Sequence, residues 1–286
     1  MANLKELRSR ITSVSSTMQI TSAMKMVSAA KLSRAQDAIT AMRPYAEKLT
    51  QLLQDLSATM SDEQKSEYAA QREVEKVLVV AISSNKGLAG AFNTNVIKGV
   101  RSLIDEQYAG KQVELLTIGK KAHDILSKKY AVYRNHNSLF DELTFENVSV
   151  IAEDLMQRFV AEDYDKIVLV YNQFKNAGTQ IIMKEQFLPI VPVQKDDTVA
   201  LDYLYEPSKE EIVSELIPKS LKIQLYKALR DSFAAEHGAR MTAMHKATDN
   251  ATELRDSLKL SYNKARQAAI TGEILEIVGG AEAQNN

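Results

Sequence analysis

Helical periodicity at both ends of the chain restricts its fold more than any other feature. From Lys219 to Ile277, small and apolar residues recur at helical spacing, and one helix over this range would be about 90 Å long. A helix of that length extends beyond a compact domain and needs a partner along its side. Residues 3–57 contain no glycine and one proline, Pro44, and carry a second helical stripe. The sequence therefore predicts a pair of long terminal helices.

Four residues bear on the local details of these helices. The ring of Pro44 removes a helical hydrogen bond, so the first helix is predicted to kink there. Ser208, with Glu211 three positions later, forms a capping box that starts the second helix. Pro218 follows soon after and is predicted to bend or interrupt its first turns.

Between the helices the period of the apolar residues changes. Lys76–Ile82 and Ile167–Tyr171 are continuous apolar runs, typical of strands buried on both faces. Helices are predicted over 93–107, 120–129 and 148–161. The other predicted strands are Val113–Ile118, Ala131–Arg134, Thr179–Met183 and Phe187–Val193. Alternating strands and helices predict an α/β domain of Rossmann-like type with right-handed crossovers.

The predicted fold class is therefore α/β. An antiparallel two-helix coiled coil forms from the N- and C-terminal helices, which must run in opposite directions if they pair. The Rossmann-like domain is inserted between them. The predicted boundaries are 1–57 for the first helix, 74–195 for the α/β domain and 208–286 for the second helix.

Composition excludes several classes of function. The net charge of −1 gives no overall field for nucleic acid or a membrane surface. The chain has no cysteine, so disulfides and thiolate chemistry are excluded. No apolar run reaches the length of a membrane span. The N-terminus lacks an apolar targeting segment, and we expect no signal or transit peptide.

No stretch carries a recognisable active site. The loop Asn85–Gly90 lies between a predicted strand and helix, where a phosphate could bind, but its glycine spacing matches no nucleotide-binding motif. A tight turn is the favoured interpretation. The histidines, His123, His136, His237 and His245, lack metal-ligand spacing. We therefore predict no catalytic residue, metal or cofactor.

Several motifs together resemble one family across the whole chain. The N-terminal stretch Ile20–Leu32 and the C-terminal string Ile270–Ala283 are similar to the two ends of the gamma subunit of F-type ATP synthase. Three shorter stretches strengthen the resemblance. These are Gly87–Gly90, Tyr203–Pro207 and Ala247–Ala251.

The resemblance implies a non-catalytic rotor. The coiled coil would turn inside a ring of three alpha and three beta subunits, whose beta subunits carry out the ATP chemistry. The α/β domain would contact the epsilon subunit and the c-subunit ring, and proton flow would drive rotation. With no transit segment expected, we expect a bacterial complex at the cytoplasmic face of the membrane, with this chain held there as a peripheral subunit only through the complex.

The resemblance also assigns roles to residues. It implies that Arg266, Gln267, Thr271 and Glu273 contact a loop of the beta subunit. It places Met24 and Arg240 in the neck region that affects coupling. Its implied contacts with the c ring are Arg43, Tyr45, Tyr203, Tyr205 and Glu206.

Two other interpretations stay open on the sequence. One is a nucleotide-binding α/β enzyme that uses the loop Asn85–Gly90 and carries helical arms. The other is a non-rotary coiled-coil adaptor that dimerises through its long helices.

Overall fold

The described chain begins and ends with long helices. The computed structural model describes residues 4–57, 67–190 and 209–284. Helix α1 spans Leu4–Ser57, with 54 residues, and helix α5 spans Lys209–Gln284, with 76 residues. Both predicted terminal helices are confirmed. The predicted cap at Ser208 lies outside the described residues.

Both prolines lie inside helices. Helix α1 continues through Pro44, and α5 continues through Pro218, so α5 is not interrupted there, while the predicted bend at Pro218 stays a prediction. Around Pro218, Leu216 and Ile217 pack against apolar clusters and Leu221 is buried. This packing offsets the one helical hydrogen bond that the proline ring removes.

The strands and helices of the α/β domain follow the predicted order. The strands are β1 (Lys76–Ile82), β2 (Gln112–Ile118), β3 (Ala131–Asn135), β4 (Lys166–Asn176) and β5 (Thr179–Leu188). The helices are α2 (Phe92–Gln107), α3 (Lys120–Leu126) and α4 (Phe145–Val160). Short 3-10 turns lie at Glu67–Ala69 and Asn137–Phe140. The two strands predicted from Thr179 onward are one strand, and residues 191–193 lie outside the described residues.

The sheet has five strands in the order β3-β2-β1-β4-β5. The first four are mutually parallel, and β5 pairs antiparallel with β4. Helices α2, α3 and α4 make the crossovers between the parallel strands, as the alternating sequence pattern predicts. The Rossmann-like α/β prediction is confirmed.

Apolar cores cover both faces of the sheet. One core joins the strands to α2 and α3, through residues such as Val100 and Leu126. The other joins them to α4 and to one part of α5, which contributes Leu221, Leu225 and Leu229. The last helix is therefore part of the α/β domain's own core.

The chain divides into two compact units, and the boundary between the units falls inside each of the two long helices. The first contains Met1–Ser28 and Met241–Asn286, and the second contains Ala29–Arg240. In the first unit, Thr21 contacts Thr248 and Met18 contacts Arg255. An earlier residue of α1 thus meets a later residue of α5, so the helices run antiparallel there. The predicted boundaries at 57, 74, 195 and 208 stay predictions.

Candidate functional surfaces

The last part of α5 carries the residues expected to contact the beta subunit. Arg266, Gln267, Thr271 and Glu273 are all exposed side chains of the helix. Arg266 and Glu273 lie about two helical turns apart, and Gln267 and Thr271 lie about one turn apart. The structure therefore presents these polar groups along one stretch of helix, free to meet another molecule.

Large apolar side chains are exposed among these polar ones. Ile270 is 48% exposed, Ile274 54% and Ile277 71%, and they follow one another at helical spacing. Leu275 and Val278 add to the exposed apolar surface. Exposed apolar patches of this kind mark protein–protein contacts. We name residues 266–278 of α5 the exposed segment.

Met24 lies in the first unit, half-buried on α1. Its carbonyl oxygen accepts a hydrogen bond from the Ser28 hydroxyl at 2.8 Å. Ser28 is itself buried. The polar contact serves the helix's own backbone and leaves the Met24 side chain as a partly accessible apolar contact.

Arg240 lies in the second unit, where it is only 7% exposed. Its guanidinium pairs with the Glu236 carboxylate, with Nη1 and Oε1 2.5 Å apart. Its Nη2 donates to the carbonyl oxygens of Lys86 at 3.2 Å and Gly87 at 3.4 Å. Arg240 thus ties α5 to the loop that follows β1.

The neighbours of Arg240 have shifted pKa values. Burial raises the pKa of the Glu236 carboxyl, while Arg240, Lys31 and Lys86 act in the opposite direction. Burial, together with the positive charges of Arg240 and Lys31, lowers the pKa of His237 to about 3. The His237 ring also packs edge-on against Phe233, with centroids 4.5 Å apart. His237 is therefore neutral at physiological pH.

The loop Asn85–Gly90 is a structural turn. Its carbonyl groups at Lys86 and Gly87 face Arg240, whereas a phosphate would require free N–H groups. The first N–H groups of α3 also donate hydrogen bonds, each to an acceptor in the region after β1. These bonds join Lys120 to Asn85, Lys121 to Ser84 and Ala122 to Ser83. The geometry favours the tight turn over the nucleotide-binding enzyme.

Small residues bring α5 close to this turn. Ala235 and Ala239 pack with Ala89 and Phe92 in one buried cluster. At Gly238, an added Cβ would lie 3.2 Å from the Ala177 Cα, at the turn between β4 and β5. The chain's own helix α5 is therefore packed close to the carboxyl ends of β1 and β4, the end of the strands where such sheets bind ligands.

The residues expected at the c ring are only partly described. Tyr45 lies on α1 and is 50% exposed. Arg43 lies in the same helix, but its side chain is outside the described part. Tyr203, Tyr205 and Glu206 lie outside the described residues. Whether these residues lie together is therefore outside the described part of the chain, and their role stays a prediction.

Within the described ranges, no cluster of three or more histidine or acidic side chains could hold a metal ion. His245 instead contacts Asp249 at 3.3 Å, and His123 contacts Thr117 at 3.2 Å. Among the same residues, no helix is long and apolar enough to cross a membrane.

Two contacts were missed from the sequence. Glu236 and Arg240 have the one-turn spacing of helical ion pairs, which can be read from the sequence. The burial of the pair cannot be read from the sequence. The hydrogen bond between Thr21 and Thr248 joins residues far apart in the chain, and no local pattern reveals it.

Comparison with known families places the whole chain beside one group of proteins. A family model described as ATP synthase matches residues 3–284. The chain is 72% identical over 285 residues to the ATP synthase gamma chain of Christiangramia forsetii, with 100% of both chains covered. It is 70% identical over 286 residues to that of Flavobacterium johnsoniae, again with 100% of both covered.

Chains of solved ATP synthase structures are also similar to this chain, at lower sequence identity. The chain is similar to one from the central stalk and c-ring structure of Tetrahymena thermophila mitochondrial ATP synthase, with a TM-score of 0.59 and 25% identity. That match covers 80% of this chain and 99% of the other. A chain of the Euglena gracilis mitochondrial ATP synthase matches with a TM-score of 0.69 and 21% identity, covering 98% and 94%. This second likeness confirms the fold.

Proposed function

This chain belongs to the ATP synthase gamma-chain family, and from that membership we propose how it works as the central rotor shaft of a proton-translocating ATP synthase. It is a non-catalytic subunit. ATP is made and hydrolysed on the beta subunits, and the rotating shaft changes their sites in turn. Rotation of the membrane c ring drives the shaft, and ATP hydrolysis drives it in reverse.

The exposed segment of α5 is the single observation that carries this proposal. Isoleucines 48–71% exposed on a long helix would be unfavourable in a protein that acts alone. Other subunits that surround the helix would cover these isoleucine side chains and remove them from water. The neighbouring polar groups make contacts that break and re-form during rotation, which a continuous apolar contact would resist.

The proposed partners are three alpha and three beta subunits around the shaft, with the epsilon subunit and the c ring at the α/β domain. Arg266, Gln267, Thr271 and Glu273 contact the beta subunit. Met24 and Arg240 act in coupling, and Tyr45 with Arg43, Tyr203, Tyr205 and Glu206 contacts the c ring. The complex holds the chain at the cytoplasmic face of a bacterial membrane as a peripheral subunit.

Reconstitution separates this proposal from the two alternatives. The chain is mixed with alpha and beta subunits of the same source, and particle size and ATPase activity are measured. We expect a large complex whose ATPase activity depends on this chain. A symmetric dimer of the chain that ignores alpha and beta would favour the adaptor. Tight nucleotide binding by the chain alone, with no complex, would favour the enzyme.

The double substitution Arg266→Ala/Gln267→Ala tests the contact with the beta subunit. Both side chains are exposed, so the fold should be unaffected while ATP synthesis in reconstituted vesicles falls. Lys111→Ala/Gln112→Ala is the matched control, because this second basic–glutamine pair is also exposed but lies at the start of β2. Equal synthesis by the two variants would remove the proposed role of Arg266 and Gln267.

A further inference from the structure

The seam between α1 and α5 in the first unit contains few buried side chains. Within residues 4–28 and 241–281, the buried ones are Leu7, Thr21, Ser28, Met244 and Ala251. Two of these are hydroxyl residues and one is alanine. Leu7 and Met244 are thus the large apolar side chains that are buried there, and other contacts are needed to hold one helix at a fixed position along the other.

A hydrogen bond between side chains crosses this seam. The hydroxyl oxygens of Thr21 and Thr248 lie 2.8 Å apart. Thr21 Oγ1 is also 3.1 Å from the Met18 carbonyl oxygen, and Thr248 Oγ1 is 2.8 Å from that of Met244. Thr21 is only 8% exposed, so the bond between the helices is largely shielded from water.

Both hydroxyl protons can be placed without conflict. Thr248 donates to Thr21 while Thr21 donates to the Met18 carbonyl, or Thr21 donates to Thr248 while Thr248 donates to the Met244 carbonyl. In either arrangement one proton bridges the helices and the other binds its own backbone. The bridge therefore persists whichever way the pair is oriented.

A second contact lies beside the first. Arg255 Nη1 is 3.4 Å from the Met18 sulfur, and its Nε donates to Asp256 at 2.9 Å. Met18 precedes Thr21 by about one turn of α1, and Arg255 follows Thr248 by about two turns of α5. The two contacts therefore lie close together along the seam.

We propose that Thr21 and Thr248 are positioning residues that fix the register of the two shaft helices, so that torque passes between them without slip. This inference rests on the proposed rotor function. A slip of one residue would move a side chain by about 1.5 Å along the axis and turn it by about 100°. The hydroxyl bridge would then break.

The double substitution Thr21→Val/Thr248→Val distinguishes an effect on the register of the two helices from an effect on the stability of the complex. Valine has the shape of threonine without the hydroxyl group, and replacing both partners by apolar groups costs little stability. We expect the assembled complex to keep its thermal stability and ATPase activity. ATP synthesis at a fixed proton gradient should fall by about fivefold, the factor that one net hydrogen bond contributes to an equilibrium.

Two variants serve as controls. Thr17→Val/Thr252→Val removes hydroxyls one turn away, which bond only to the Ser13 and Thr248 carbonyls of their own helices. Thr21→Ser/Thr248→Ser keeps both hydroxyls at the seam. We expect both to synthesise ATP at the rate of the unaltered complex. Loss of coupling in the serine variant would overturn the proposal.

The remaining outcomes are also decisive. Normal synthesis by Thr21→Val/Thr248→Val, or an equal loss in Thr17→Val/Thr252→Val, would overturn the role of the bridge while leaving the rotor function intact. If the unaltered chain gives no coupled complex, the rotor function itself fails. If the double valine variant does not assemble, Thr248→Ala is compared with Thr248→Ser, and equal synthesis by those two would overturn the proposal.

Discussion

Two parts of the same helix differ sharply in how they are covered. Residues 221–240 of α5, here named the buried segment, contain no exposed side chain. The exposed segment, 266–278, contains no buried one. The buried segment packs on the sheet and on α4 through leucines, and its Glu236 and Arg240 satisfy one another. The exposed segment presents isoleucine, leucine and valine to solvent.

The difference indicates where each segment finds its partner. The buried segment packs against other parts of its own chain, so its residues must suit that packing and pair their buried charges. The exposed segment has the apolar residues of an interface but no cover from its own described chain. Substitutions in the buried segment should therefore change the stability of the chain, and those in the exposed segment should change assembly.

The largest expected effect is at Arg240. Arg240→Met leaves the Glu236 carboxylate buried without its partner, which should destabilise the chain by about 3–5 kcal/mol. Arg266→Met, in the exposed segment, should change stability by less than about 0.5 kcal/mol. Denaturant unfolding of the full-length chain measures both.

The control is the double variant Glu236→Leu/Arg240→Met, which removes both charges. It should recover most of the lost stability, because an apolar pair can replace a buried ion pair. Equal unfolding free energies for Arg240→Met and Arg266→Met would show that the buried pair does not distinguish the two segments.

Glycine substitutions give the next largest contrast. At Gly238 an added Cβ would lie 3.2 Å from the Ala177 backbone and 3.3 Å from Phe174. Gly238→Leu should therefore destabilise the chain by about 1–3 kcal/mol through overpacking. An added Cβ at Gly272 would meet nothing within 4 Å outside its own stretch of helix backbone, so Gly272→Leu should stabilise the helix by up to about 1 kcal/mol. Thermal unfolding of the two variants should give shifts of opposite sign.

The third contrast is a pH dependence of stability at His237, which is the smallest of these effects near neutral pH and grows as the pH falls. Its pKa is about 3 in the folded chain, below the usual value of 6.5. The unfolded chain therefore binds an extra proton between these two pH values, and stability falls as pH is lowered from about 6.5 toward 3. The free energy of unfolding should fall by at most about 1.4 kcal/mol for each pH unit through this proton.

His237→Gln should remove this contribution to the pH slope. The raised pKa of Glu236 acts in the opposite direction, but Glu236 is present in both proteins, so their difference isolates His237. His245→Gln, at an exposed position of the same helix, is the matched control and should keep the slope. An unchanged slope in His237→Gln would show that His237 is not held neutral.

The sequence predicts local structure well here and tertiary contacts poorly. The runs at Lys76–Ile82 and 167–171 appear as β1 and part of β4 because strand period and β-branching are local properties. At Pro218 the sequence predicts a bend or an interruption without choosing between them, because packing of its neighbours, which is not local, decides whether the helix continues.

The candidate sites show the same limit. The motif resemblance selects Arg266 and Glu273, and the structure confirms only that they are exposed. The role of Arg240 as a tie to the loop after β1 depends on two carbonyl groups far away in the chain. The Thr21–Thr248 bridge depends on the register of two helices, which periodicity does not determine.

Labelling of single cysteines tests the central claim most directly, because the chain has no cysteine of its own. Ile274→Cys lies in the exposed segment, and Val150→Cys lies on α4, where the native side chain is 66% exposed. Both should react quickly with a thiol reagent in the isolated chain. In the complex with alpha and beta subunits, Ile274→Cys should be strongly protected and Val150→Cys should still react. Equal reactivity of Ile274→Cys in both states would contradict the account.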